Sequence, residues 1–308
     1  MPIRVVPRSL RLLPAAAVLA GLLVAVPAAS AVAPCPRTAG PPAPVTSVTG
    51  WVESLAFDVQ GRLLFTNTVT GQLLRLSRPG GVPKVVASGI PAGGGIVVVG
   101  PRTAYVGTGN AFANGSDPAL GGAGIKRVDL KTGKVTSYAT GLAMANGVVR
   151  TAKGVFYGSD AIKPSVDRVR ADGTVDRGWL TFGDANGLAL GKGDRYLYAN
   201  RSLNPTQIVR IDLRNPSRVT TVAATTGEDG AAFLDGLTLG AGDVPYAAVF
   251  GRGEVWSVRG HAFCRVGAAT PQATSVAFGR KGSGFDPRSL YVGSAAGQIV
   301  RLPKVAAS

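Results

Sequence analysis

One pattern, a small residue followed by alternating apolar residues, occurs six times in this 308-residue chain and restricts its fold more than any other feature. The copies are Glu53-Ser54-Leu55-Ala56-Phe57, Gly94-Gly95-Ile96-Val97-Val98, Asn146-Gly147-Val148-Val149, Asn186-Gly187-Leu188-Ala189, Asp235-Gly236-Leu237-Thr238 and Thr274-Ser275-Val276-Ala277-Phe278. From Glu53 the steps are 41, 52, 40, 49 and 39 residues, a mean of about 44, which is the spacing of propeller blades. Each copy is followed by a second apolar run (62–66, 103–107, 154–158, 195–199, 244–249, 289–293) and a third (71–76, 124–130, 165–170, 206–213, 253–258, 297–302). Runs rich in β-branched and aromatic residues, cut by Gly, Asp and Asn, read as antiparallel strands rather than helices. The expected fold is all-β: a six-bladed β-propeller with four antiparallel strands per blade.

The unit that starts at Thr274 has three runs and stops at Leu302, so it lacks a fourth strand. A strand-like segment, 44–48, precedes the first unit and can supply it, closing the ring and removing an exposed sheet edge. Residues 44–308 are therefore expected to form a single propeller domain. Ahead of it, 32–43 is a Pro-rich leader without periodicity, expected to lie across the surface. Residues 1–31 differ again: Arg4, Arg8 and Arg11 precede a short apolar run that ends at Ala29-Ser30-Ala31. That is the layout of an export signal cleaved after Ala31, and the run is too short and too broken by Pro27 for stable membrane insertion. The protein is expected to be secreted, either extracellular or in the cell envelope.

Two cysteines, Cys35 and Cys264, remain after such cleavage. In an oxidising compartment an even pair reads as a disulfide sooner than as a metal site or nucleophile, with two free buried thiols as the alternative. A Cys35–Cys264 bond would pin the leader beside the ring closure. The net charge of +16 falls to +13 without the three signal arginines. The basic residues are scattered singly, with no basic run and no aromatic platform, so nucleic acid is not an expected partner. A diffuse positive surface suits solubility or weak contact with anionic cell-envelope polymers.

In a propeller the first strand of each blade lines the central channel, so the six aligned positions, just before those strands, should meet at one mouth. Four of them, Glu53, Asn146, Asn186 and Asp235, carry a carboxylate or amide oxygen. Two carboxylates with amide oxygens suit a hard divalent cation, Ca²⁺ above all. His261, the one histidine, falls between the third and fourth runs of its blade, so zinc chemistry and Ser-His triads find no support. Loops 109–122, 160–165 and 200–205 open on the same face, and Asn110, Asp117, Asp160 and Asn200 are the substrate contacts they offer. Taken one at a time, each Asn-Gly or Asp-Gly is also an ordinary turn dipeptide; what points to a site is their common phase.

These residues resemble the regucalcin (senescence marker protein), gluconolactonase and luciferin-regenerating-enzyme family of six-bladed propellers. The likeness spans Trp51 to about Leu302 and rests on four features. They are the Glu opening the first blade, the Asn opening the third, Asn186-Gly187-Leu188-Ala189 with its Tyr-Leu-Tyr strand, and Asp235-Gly236-Leu237. The resemblance implies that Glu53, Asn186 and Asp235 bind one divalent cation, that Asn146 is a ligand or substrate contact, and that Asp235 is the general base of lactone hydrolysis. It also implies a small-molecule lactone or ester as partner, with a non-catalytic propeller, its cation structural, as the alternative. Several family positions differ: Met144 stands where an Arg contacts a sugar acid, Ala185 replaces a Pro and Ser54 a Gly, and the acidic residue expected shortly after Asp235-Gly236 is absent. These changes shift the expected substrate toward a less polar one, an aromatic or acyl lactone or another ester.

Overall fold

The structure is a computed structural model that describes residues 32–116, 122–163, 165–202, 205–225 and 227–305. The expected export signal, 1–31, lies outside them. The described strands form six four-stranded sheets. Five of these take four consecutive strands each, the first being Val52–Phe57, Leu63–Asn67, Gln72–Leu76 and Lys84–Ser88. The sixth takes Ala273–Phe278, Leu290–Ser294 and Gln298–Leu302 from the end of the chain and Ala43–Ser47 from its start. Ala43–Ser47 runs antiparallel to Gln298–Leu302, with Ala43 opposite Arg301 and Ser47 opposite Gln298. The ring therefore closes with the N-terminal strand, as the missing fourth run predicts.

Burial follows position in the blade. Every residue of the second strands Leu63–Asn67, Phe156–Asp160 and Leu290–Ser294 is buried, whereas the outermost strand Lys84–Ser88 exposes three of its five residues. The apolar core is divided among the seams between neighbouring sheets. Leu63, Phe65 and Leu76 of the first blade pack on Tyr291, Ile299 and Phe285 of the sixth, and Leu64 and Leu73 pack on Ala104, Val106 and Val128 of the second. Hairpins inside the blades turn on carboxylates: Asp58 accepts from the main-chain N–H groups of Gln60 (2.9 Å) and Arg62 (3.0 Å), the side-chain-capped turn that Asp favours.

The leader is more regular than its composition suggests. Cys35 N–H donates to Arg265 O, Arg265 N–H to Ala33 O and Ala39 N–H to Val266 O, each at 2.8 Å. Residues 33–39 thus run along the outer edge of Ala262–Ala268 in the fifth blade and cover it. Cys35 and Cys264 are joined by a disulfide. Among the described residues no helix is long and apolar enough to cross a membrane.

Candidate functional site

The innermost strands are Val52–Phe57, Ile96–Val99, Val148–Arg150, Ala185–Leu190, Leu234–Leu239 and Ala273–Phe278. Together they enclose a cavity of about 340 Å³ whose walls include Glu53, Asn146 and Asp235 at one end. Expected just before these strands, Glu53, Asn186, Asp235 and Thr274 lie within them. The reason is a bulge. Pairing in the first blade passes from Val52↔Asn67 to Leu55↔Phe65, so Glu53 and Ser54 face Thr66 alone. The fourth blade shows the same step around Asn186 and Gly187, and the fifth around Asp235 and Gly236. An extra residue bends the strand and re-aims its side chains, which is how Glu53, Asn186 and Asp235 leave the plane of their sheets.

The residue opposite the bulge repairs the interrupted ladder. Ser54 N–H donates to Thr66 Oγ1 (3.1 Å), which donates to Gly94 O of the next blade (3.2 Å). In the third blade Gly147 N–H donates to Ser159 Oγ (2.8 Å), and Ser159 donates to Asn186 O. In the fourth, Gly187 N–H donates to Asn200 Oδ1 (2.7 Å), and Asn200 Nδ2 donates to Asp235 O. Thr66, Ser159 and Asn200 are completely buried. Each fixes the main chain of its own bulge and that of the next blade's aligned residue. The strands crowd closely there: a Cβ on Gly187 would stand 2.4 Å from Asp235 O, so only glycine fits without a main-chain shift.

The acidic cluster builds on this frame. Glu53 Oε2 accepts from Trp51 Nε1 (2.6 Å), and Oε1 accepts from Asn110 Nδ2 (2.8 Å) and, at 3.4 Å, from Asn146 Nδ2. Asn186 donates from its side chain to the Asp235 carboxylate. Glu53 and Asp235 are 7% and 5% exposed. Burial pushes the Glu53 carboxyl from 4.5 up to about 7, against the bonds from Trp51 and Asn110 that favour its anion. Burial also pushes Asp235 well above the carboxylate range, and repulsion from Glu53 adds to it while the bond from Asn186 opposes. No Lys or Arg figures among the groups that shift either carboxylate. The Oδ1 atoms of Asn186 and Asn110 are buried without a hydrogen-bond partner.

The structure thus brings Glu53, Asn110, Asn146, Asn186 and Asp235 together. It places two other expected substrate contacts differently. Asn200 belongs to the strand Tyr196–Arg201 rather than to a loop, and both ends of its buried amide serve the frame. Asp160 closes the strand Phe156–Asp160, and its Oδ1 accepts from Ile162 N–H (2.8 Å) and Lys163 N–H (3.0 Å), which makes it a turn former. Asp117 lies outside the described residues. Trp51, Thr66 and Ser159 went unread in the sequence. The signal for the latter two is a hydroxyl residue at or just past the end of the second apolar run, 13 positions after Glu53 and after Asn146.

Two carboxylates and orphaned amide oxygens, with no cationic side chain acting on them among the described residues, form a donor set that fits a hard divalent cation. Among the described residues no group of three or more His, Cys, Asp or Glu side chains gathers at one point, so amide oxygens are needed to complete any such site.

Neither a protein-family model nor a curated protein matches the sequence. Solved structures share its fold. A gluconolactonase from Xanthomonas campestris is 15% identical with a TM-score of 0.63, over 86% of this chain and 98% of that one. Regucalcin, a calcium-binding protein from Agrobacterium tumefaciens, is 18% identical with a TM-score of 0.66, over 87% and 95%. A luciferin-regenerating enzyme is 17% identical with a TM-score of 0.62, over 85% and 95%.

Proposed function

We propose that this chain is an exported hydrolase of lactones or related esters that works with a divalent cation, Ca²⁺ by its donor chemistry, at the mouth of the propeller channel. The observation that carries the reading is the pair of buried carboxylates, Glu53 and Asp235, set beside the unpartnered Oδ1 of Asn186, with no basic side chain among the described residues to balance them. Burying two like charges in this way is costly, and a cation removes the cost. Kinship of fold with a gluconolactonase and with regucalcin supports a lactonase-like role. The Cys35–Cys264 disulfide supports export to an oxidising compartment.

Glu53, Asn186 and Asp235 would hold the ion, with Asn146 as a further oxygen donor. A bound divalent cation polarises a carbonyl and makes attack on it easier. The chain supplies the rest. Asn110 and Asn146 present amide groups beside Glu53, positioned to orient a carbonyl compound at the mouth. Asp235 would accept the proton that water gives up as its oxygen bonds the carbonyl carbon, and return it to the alkoxide oxygen that leaves when the ester C–O bond breaks. A carboxylate that binds a cation tightly is a poor base, so most of the binding falls to Glu53 and Asn186. Asn200 keeps Asp235 in register through its main-chain carbonyl.

The test is hydrolysis of a lactone and ester panel by the mature chain, with and without EDTA, beside Asp235→Ala and Glu53→Gln. Turnover that needs the metal and is lost in both variants is expected. Turnover indifferent to chelator and to both substitutions overturns the metal mechanism. Calcium-dependent stabilisation without any turnover marks a binding propeller in which the ion is structural.

A further inference from the structure

Two half-buried aromatic side chains stand two residues before the acidic pair, Trp51 before Glu53 and Phe233 before Asp235, and a third, Phe250, follows the strand Pro245–Val249. Phe65, Phe156, Trp256, Phe285 and Tyr291, by contrast, are fully buried in the seams between blades. These three instead meet across the mouth. Trp51 stacks on Phe250 with centroids 5.9 Å apart and planes at 22°, and Phe233 lies 5.5 Å from Phe250 at 58°. Trp51 comes from the first blade and Phe250 from the fifth, so the stacked pair bridges the mouth of the sixth blade between them. There the aligned residue, Thr274, is committed to a bond with Val52 O (2.5 Å) and offers no ligand. The indole is tied to the site directly through its N–H bond to Glu53 Oε2.

Phe233 adds an independent sign. Its φ is +60°, in the left-handed region, a conformation that costs a bulky residue about 1–3 kcal/mol and persists only where the surrounding structure imposes it. The main chain there is held by Phe250 N–H donating to Phe233 O (2.9 Å) and Gly251 N–H to Ala232 O (3.1 Å). Glycine would adopt this backbone without strain, yet the position carries a ring that lies against Phe250. On the third blade the buried side chain two residues before Asn146 is the apolar Met144.

We propose that Trp51, Phe233 and Phe250 form a subsite for a planar aromatic ring, so that the site takes an aryl-bearing lactone or ester rather than a sugar lactone. This rests on the hydrolase reading only for the word substrate; the ring subsite is a binding claim and is tested as one. A stacked aromatic pair gains about 0.5–1.5 kcal/mol beyond area burial, up to about tenfold in affinity. A quaternary ammonium ligand favours rings set around it as a box, whereas Trp51 and Phe250 lie nearly parallel.

The experiment is calorimetric titration of the mature chain, saturated with Ca²⁺, with 3-phenylpropionate, 3-cyclohexylpropionate, gluconate and choline, repeated on Phe233→Gly and Phe250→Leu. Phenylpropionate is expected to bind about five- to tenfold tighter than cyclohexylpropionate and tighter still than gluconate, with choline not binding. Phe233→Gly, which relieves the backbone, should lower the phenyl-to-cyclohexyl ratio several-fold while leaving the melting temperature at or above that of the parent. Equal affinity for the two rings, preference for gluconate or choline, or an unchanged ratio in both variants overturns the proposal. Phenylpropionate binding in a chain that turns over no ester keeps the subsite and sinks the hydrolase. Metal-dependent turnover of gluconolactone without phenylpropionate binding does the reverse.

Discussion

Raising the pH of the cation-free protein should destabilise it, and the size of the effect follows from Glu53. Its carboxyl is raised from 4.5 to about 7, chiefly by burial. The folded chain holds this proton more tightly than the unfolded chain does, so the associated stability is fully present below 4.5 and is lost as pH climbs through about 7. At 1.36 kcal/mol per pH unit the loss from Glu53 is about 3 kcal/mol, and Asp235, shifted in the same direction, adds to it. The carboxylates that are shifted the other way titrate lower, Asp129 at about 2, so they do not mask the window. The assay is equilibrium unfolding in denaturant between about pH 5 and pH 8 in EDTA, then with saturating Ca²⁺. In EDTA the free energy should fall across that interval. Calcium, which favours both anions, should abolish the fall, and Glu53→Gln should remove the Glu53 share of the slope, leaving that of Asp235, and should weaken the calcium response. A flat profile in EDTA, or an unchanged slope in Glu53→Gln, would refute the picture of two buried, uncompensated carboxylates.

Further predictions concern the frame. The Cys35–Cys264 bond spans 229 residues, for which loop entropy gives about 5 kcal/mol; Cys35→Ser/Cys264→Ser should lose an amount of that order in denaturant unfolding. Deleting residues 32–48 removes the strand that closes the sixth blade, and a sharply lower melting temperature is expected by calorimetry. Ser159→Ala leaves Gly147 N–H and Asn186 O without their partner and should cost about 1–3 kcal/mol, with Ser159→Thr restoring most of it. Gly187→Ala drives a Cβ to 2.4 Å from Asp235 O, so calcium affinity should drop even where the variant remains folded, as titration calorimetry would show.

The blades were legible because a repeat of about 44 residues recurs six times, and the closing strand because the last unit runs out at Leu302. The oxygen donors Glu53, Asn146, Asn186 and Asp235 stood out by sharing one phase, although any one of them could be a turn residue. What the sequence did not reveal has physical causes. A bulge is invisible in an alternation pattern, so Glu53 and Asp235 were placed before their strands instead of within them. Asn200 reads as a loop residue because Asn commonly ends strands, and only the geometry shows its amide bridging two blades. Asp160 serves a turn for the same chemical reason that it resembled a ligand contact. The rings Trp51 and Phe250 are 199 residues apart, and their meeting depends on ring closure, which no local pattern records.

The most direct test of the central claim is titration of Ca²⁺ into the metal-free mature chain, with Asn186→Ala and Glu53→Gln measured alongside. One ion per chain is predicted, with affinity reduced about tenfold or more in each variant, since Asn186 Oδ1 and the Glu53 carboxylate are the donors left without a cationic partner. Absence of calcium binding, or binding that neither substitution weakens, would contradict it.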